Sequence, residues 1–102
     1  MTEQEQIQLM KKIAAKLFKR MRRVMEDEFR SHELQVSDFH NIALSAMASV
    51  NANLVMWVKH MTELKTGQYF DPTNMTNGFI HGIIQSIQLI ESTQAKQKEQ
   101  MQ

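Results

Sequence analysis

Residues 7–25 read IQLMKKIAAKLFKRMRRVM, and this stretch decides the fold class. Its apolar side chains recur at steps of three and four residues, which is the spacing of one face of an α-helix. The members of this apolar seam are Ile7, Met10, Ala14, Leu17, Met21 and Val24. Thr2 and Glu5 are spaced as a capping box at the start of the helix. Since neither Gly nor Pro occurs before residue 67, we predict a first helix over residues 3–34.

A second helix is predicted over residues 38–66. Ser37 or Asp38 suits its N-cap, and Gly67 suits the left-handed position just beyond its end. Its main apolar stripe consists of Phe39, Ala43, Ala46, Val50, Leu54, Trp57, Met61 and Leu64. Trp57, as the largest of these side chains, is expected to anchor the core.

A third helix is predicted over residues 72–93, with Asp71 as its cap and Pro72 at its first position. Tyr69 and Phe70 precede it and are expected to close one end of the core, although an exposed Tyr69 would be a contact candidate instead. Residues 94–102 are rich in Gln and Lys, which predicts a frayed tail. Short connections between long helices favour an antiparallel three-helix bundle, a single helical domain over residues 1–93.

The composition places the chain among soluble, all-α proteins. It has 102 residues, 42% of them hydrophobic, with 3 Gly, 1 Pro and no Cys. The missing cysteines exclude disulfide frameworks, cysteine nucleophiles and thiolate metal sites. We recognise neither a secretory signal nor an unbroken apolar run of about 18 residues. These observations predict a cytoplasmic protein without a transmembrane segment.

The net charge of +1 conceals a strong segregation of charge along the chain. Residues 1–25 hold seven Lys or Arg against two Glu, and residues 26–38 hold five acids against one Arg. The seven bases, which avoid the apolar seam, are Lys11, Lys12, Lys16, Lys19, Arg20, Arg22 and Arg23. Such a cationic face suits an anionic partner: an acidic protein, a nucleic acid or an anionic membrane surface. The alternative is a solvated face partly balanced by the acidic cluster.

The second helix carries no charged residue over most of its length, even on the side opposite its apolar stripe. No Asp, Glu, Lys or Arg occurs in residues 39–58 or in residues 72–90, whereas a surface helix normally carries charge towards solvent. We therefore predict a homo-oligomer, a dimer or larger, whose interface on the second helix comprises Asn41, Leu44, Ser45, Ala48, Ala52 and Val55. The alternative is a monomer with a neutral outer face. Gly78, Gly82 and Ser86 form a small-residue ridge that predicts close packing, unless the third helix starts only at Phe79.

Motifs for catalysis or metal binding are absent from the sequence. Glu28 with His32, and His60 with Glu63, share helical faces, but the repeated Glu-x-x-His pattern of di-metal bundles is missing. No serine lies in a nucleophile elbow, and the glycines form no phosphate-binding loop. The prediction is a non-enzymatic protein with no catalytic residue, metal or cofactor.

The functional hypothesis is therefore an oligomeric interaction protein, such as an adaptor, a chaperone-like subunit or an inhibitor, that presents a basic helix to an anionic partner. One alternative is a nucleic-acid-binding regulator that uses the same bases, although no helix-turn-helix pattern is visible. Another is a protein that binds a small anionic ligand, such as a nucleotide, between subunits.

Overall fold

The computed structural model describes residues 1–101 and shows three α-helices. They are α1 (Glu3–Arg30), α2 (Val36–Thr66) and α3 (Pro72–Met101). No strand occurs within these residues, so the prediction of an all-α protein is confirmed.

The described chain divides into two compact units. The first unit, Met1–Met47, holds α1 and the start of α2, and the second unit begins at Ala48. In the first unit the rings of Phe29 and Phe39 meet edge to face, with centroids 4.8 Å apart. Met21, Met25 and Phe29 are the half-buried positions of α1. Contact within this unit is therefore concentrated at the end of α1.

The first helix ends at Arg30, earlier than the predicted residue 34. The side chains of the next two residues explain the early end, because both bind the backbone oxygen of Glu28. Ser31 Oγ donates to it at 2.8 Å, and His32 Nδ1 lies 2.9 Å from it. Side chains that satisfy the last free carbonyl groups compete with continued helix.

The predicted bounds of the other helices are wrong at two ends. The second helix begins at Val36, so Ser37 and Asp38 lie inside its first turn instead of capping it. Asp38 still favours the helix start because its charge opposes the positive end of the dipole. The third helix continues to Met101, which overturns the frayed tail over residues 94–101. Those residues include Ala, Gln, Lys and Glu but no Gly or Pro, and these are strong helix formers; Gln102 lies outside the described residues.

The caps around the α2–α3 connection and at the start of α1 are confirmed. Gly67 has a φ of 67°, and its N–H donates to the Glu63 carbonyl at 2.8 Å. Asp71 Oδ1 accepts from the N–H of Thr73 at 3.1 Å, directly beside Pro72. Thr2 Oγ1 accepts from the N–H of Glu5 at 3.1 Å.

No residue among 1–101 is buried, so the predicted core is not formed within a single chain. Trp57, the expected anchor, is 60% exposed. The half-buried positions of α2 in the second unit are instead Asn51, Val55, Lys59, Thr62 and Glu63. The side of α2 that contacts the rest of its unit is thus a different one from the predicted apolar stripe.

Candidate functional site

The seven predicted bases lie together on α1, and each of them is exposed. All of residues 1–20 are exposed. Four of the bases line one groove of about 300 Å³; they are Lys16, Lys19, Arg20 and Arg23. We call these four residues the basic groove. Spacings of three and four residues bring them together, because such positions are neighbours on a helix surface.

The acidic cluster neutralises little of this charge. Arg22 Nε lies 3.1 Å from Glu26 Oε1, and both side chains are more than half exposed, so this pair adds little stability. Within residues 1–101 no residue of the basic groove forms an ion pair. Arg22 also stacks over Phe18, with its guanidinium carbon 5.6 Å from the ring centroid. The basic groove is therefore a cationic surface without a counter-charge in contact.

The predicted oligomer interface on α2 is largely open in the single chain. Leu44 is 53% exposed, and Asn41, Ser45, Ala48 and Ala52 are exposed as well. Val55, by contrast, is half-buried within the second unit. The structure thus leaves most of this face available to another chain and uses one of its residues internally.

A polar cluster at the end of α2 was missed by the sequence analysis. Lys59 Nζ donates to both carboxylate oxygens of Glu63 at 2.8 Å, and Glu63 Oε2 accepts from the N–H of Phe70 at 3.0 Å. Lys59 Nζ also lies 4.8 Å from the centre of the Tyr69 ring. The hydrogen bond from Lys59, followed by that from Phe70, lowers the pKa of Glu63.

The contact between Lys59 and Glu63 could have been predicted from the sequence. Lys59 and Glu63 are four residues apart, a spacing that brings opposite charges together on a helix. The hydrogen bond from the Phe70 N–H to Glu63 could not have been predicted, because it depends on the path of the loop. Tyr69 is 75% exposed, so it is a contact candidate, whereas Phe70 is half-buried. The hydrogen bonds of this cluster hold the loop against the end of α2, so its role is structural.

The small-residue ridge of α3 is open. Gly82 and Ser86 line an apolar groove of about 380 Å³ together with Phe79, Ile83 and Ile87. A methyl group added at Gly78 or Gly82 would meet no atom within 4 Å. The close packing predicted for this ridge is therefore not made inside the single chain, although α3 does include Gly78.

The two histidine pairs weighed as metal ligands differ in their surroundings, and the hydrogen bond from Lys59 and, to a smaller extent, the charge of His60 lower the pKa of Glu63. His32 binds the backbone oxygen of Glu28 rather than its carboxylate, and its Nδ1 lies 3.1 Å from Ser31 Oγ. Across residues 1–101, no three His, Asp or Glu side chains are grouped closely enough to hold a metal ion.

A test for membrane-spanning helices and three comparisons with known proteins complete the description. Of the described helices, only α2 is long and apolar enough to cross a membrane, a test of length and composition that core helices of soluble proteins also pass. Comparison of the chain with protein-family models, with curated proteins and with solved structures found no match.

Proposed function

We propose that this chain is a non-enzymatic, cytoplasmic interaction protein. Copies of it assemble through α2 into an antiparallel helical bundle, and α1 presents its basic face to an anionic partner. The observation that carries this proposal is the basic groove: four exposed bases converge there, without an ion pair in the described chain. A cationic surface of this kind attracts anions and accelerates their association.

The exposed surface of α2 supports self-association. Several large apolar side chains of α2 are exposed in the single chain: Leu44 at 53%, Met56 at 51% and Trp57 at 60%. Because much of this surface is apolar, its removal from water is a strong driving force for assembly.

The location of the uncharged residues supports α2 as the centre of the assembly. Leu44 and Ala48 lie in a stretch, residues 39–58, that carries no formal charge. Two such helices can approach without desolvating an ion, which is the usual cost of burying a charged surface. A symmetric pair would use the same face twice, as most homodimers do.

Binding of model anions by the full chain tests the second half of the proposal. We expect retention on immobilised polyglutamate at 50 mM salt and sharply weaker retention at 200 mM, since exposed charges are screened. Reversal of the basic groove (Lys16→Glu, Lys19→Glu, Arg20→Glu and Arg23→Glu) should reduce affinity by about 10-fold or more.

The matched control reverses three bases outside α1, by Lys65→Glu, Lys96→Glu and Lys98→Glu. This control should retain most of the binding, although it loses a comparable amount of net charge. Equal losses in the two variants would show that binding follows net charge alone, and would contradict a defined site on α1.

A further inference from the structure

The first five turns of α1 expose an apolar stripe as well as the bases. Every residue up to position 20 is exposed, and this region includes Ile13, Leu17 and Phe18, the last of them 63% exposed. Most of the stability of a helix in a protein comes from the packing of its apolar face rather than from helix propensity. Within the described residues, the N-terminal part of α1 therefore presents an exposed apolar face.

Most of the bases lie on the side of α1 opposite its apolar seam, while Arg20 and Lys11 lie at the two borders, beside Ile13 and Phe18. At 100° per residue, Ile7, Ala14 and Met21 fall within one narrow sector, whereas Lys12 and Arg23 fall on the far side. Arg22 lies at the border, over the ring of Phe18. A helix with Leu and Phe on one face and Lys and Arg on the other is the type that lies in the plane of a lipid–water interface.

We propose that the anionic partner of α1 is an anionic lipid surface. Leu17 and Phe18 enter the boundary between headgroups and acyl chains, while the basic groove and its neighbours contact phosphate or carboxylate headgroups. This inference rests on the proposed function, since it names the partner for the same bases. The cytoplasmic leaflet of cellular membranes carries the negative charge that such a surface needs.

Charge complementarity alone does not select lipid, but the apolar stripe does. A nucleic acid, or an acidic protein surface without an apolar patch, would bind the bases and leave Leu17 and Phe18 in water. An anionic lipid interface accepts both faces at once, because it offers charged headgroups directly above hydrocarbon. Aromatic side chains are also favoured at that boundary. The two exposed features of α1 thus fit one occupant together.

The test is flotation of the full chain with vesicles at 150 mM salt. Vesicles of phosphatidylcholine alone are compared with vesicles containing 30% phosphatidylserine. We expect binding to the anionic vesicles to be at least about 10-fold stronger, since each base near an anionic surface adds about 5-fold. Phe18→Ser should weaken vesicle binding by about 10-fold, and Phe18→Trp should preserve it.

Two controls give the result its meaning. Ile83→Ser with Ile87→Ser removes exposed apolar side chains from α3 and should leave vesicle binding unchanged. Phe18→Ser should leave polyglutamate binding unchanged as well, because that binding uses only the bases. Loss of both activities in Phe18→Ser, with normal helicity, would contradict separate roles for the two faces.

The outcomes separate this inference from the function on which it rests. Binding to polyglutamate or to a single-stranded oligonucleotide, through the basic groove and without vesicle binding, overturns the lipid inference and leaves the proposed function standing. Absence of binding to every anion overturns both. Vesicle binding that survives Phe18→Ser and the four-base reversal overturns the role of α1, and assigns the lipid contact to another element such as α2.

Discussion

The turn that joins α2 to α3 depends on the left-handed backbone of Gly67. Its φ of 67° lies in a region that residues with a β-carbon seldom adopt. The N–H of Gly67 also donates to the Glu63 carbonyl at 2.8 Å, which caps the end of α2. Substitution of this residue therefore tests whether the connection has the described conformation.

The expected cost of Gly67→Ala follows from the backbone alone. No atom lies within 4 Å of a methyl group placed there, so the substitution causes no clash. The left-handed conformation costs a residue with a β-carbon about 1–2 kcal/mol. Alanine also reduces the conformational entropy of the unfolded chain, which stabilises the folded state by about 0.4–1 kcal/mol. The net loss in the free energy of unfolding should thus be about 1 kcal/mol.

Urea denaturation followed by circular dichroism measures this loss. All variants are compared at one chain concentration, because the stability of an oligomer depends on concentration. Gly67→Asn is the matched control and should lose less than Gly67→Ala, since Asn tolerates the left-handed region. A Gly67→Ala variant as stable as the wild type, or more stable than Gly67→Asn, would refute the left-handed turn.

Two other contacts yield predictions of the same kind. Glu63→Gln should destabilise the chain at neutral pH, because Lys59 and Phe70 favour the charged carboxylate. Since the folded pKa of Glu63 is lowered, its contribution to the free energy of unfolding is present above the ordinary glutamate pKa and is lost as the pH falls through the folded value. Denaturation curves across pH should therefore show the stabilities of the two proteins converging in acid. A difference in stability that does not change with pH would contradict the role of the Lys59–Glu63 cluster. Thr2→Ala should remove the cap bond to Glu5 and cost α1 about 0.5–1 kcal/mol. Hydrogen exchange of the Glu5 amide should be faster in Thr2→Ala than in the wild type, and Thr2→Ser should restore the wild-type rate. An unchanged exchange rate in Thr2→Ala would contradict the cap.

Local chemistry made several features of the fold predictable from the sequence. Thr2, Gly67 and Asp71 act within a few residues of themselves, so their roles as caps could be identified without any tertiary information. The basic groove was predictable for a similar reason. Helical spacing alone places Lys16 and Arg23 on one side of α1.

Features that depend on side-chain competition or on packing were not predictable in the same way. The end of α1 is set by Ser31 and His32, which bind a backbone oxygen that a longer helix would have used. The orientation of α2 was missed because the helix is uncharged on both sides over residues 39–58, so the pattern does not specify which side faces the rest of the chain. As a result, Val55, which was expected at the interface with another chain, is half-buried within its own unit. Trp57, which was expected in the core, is exposed.

Sedimentation equilibrium of the full chain at low micromolar concentration tests the central claim most directly. The proposal predicts a mass at least twice the 11.9 kDa of one chain. Ala48→Glu with Ala52→Glu should shift the mass towards a single chain, because paired charges would enter the α2 interface. Gln94→Glu with Gln97→Glu, exposed positions on α3, should leave it unchanged. A wild-type protein that sediments as one 11.9 kDa species, or an oligomer indifferent to the α2 charges, would contradict assembly through α2.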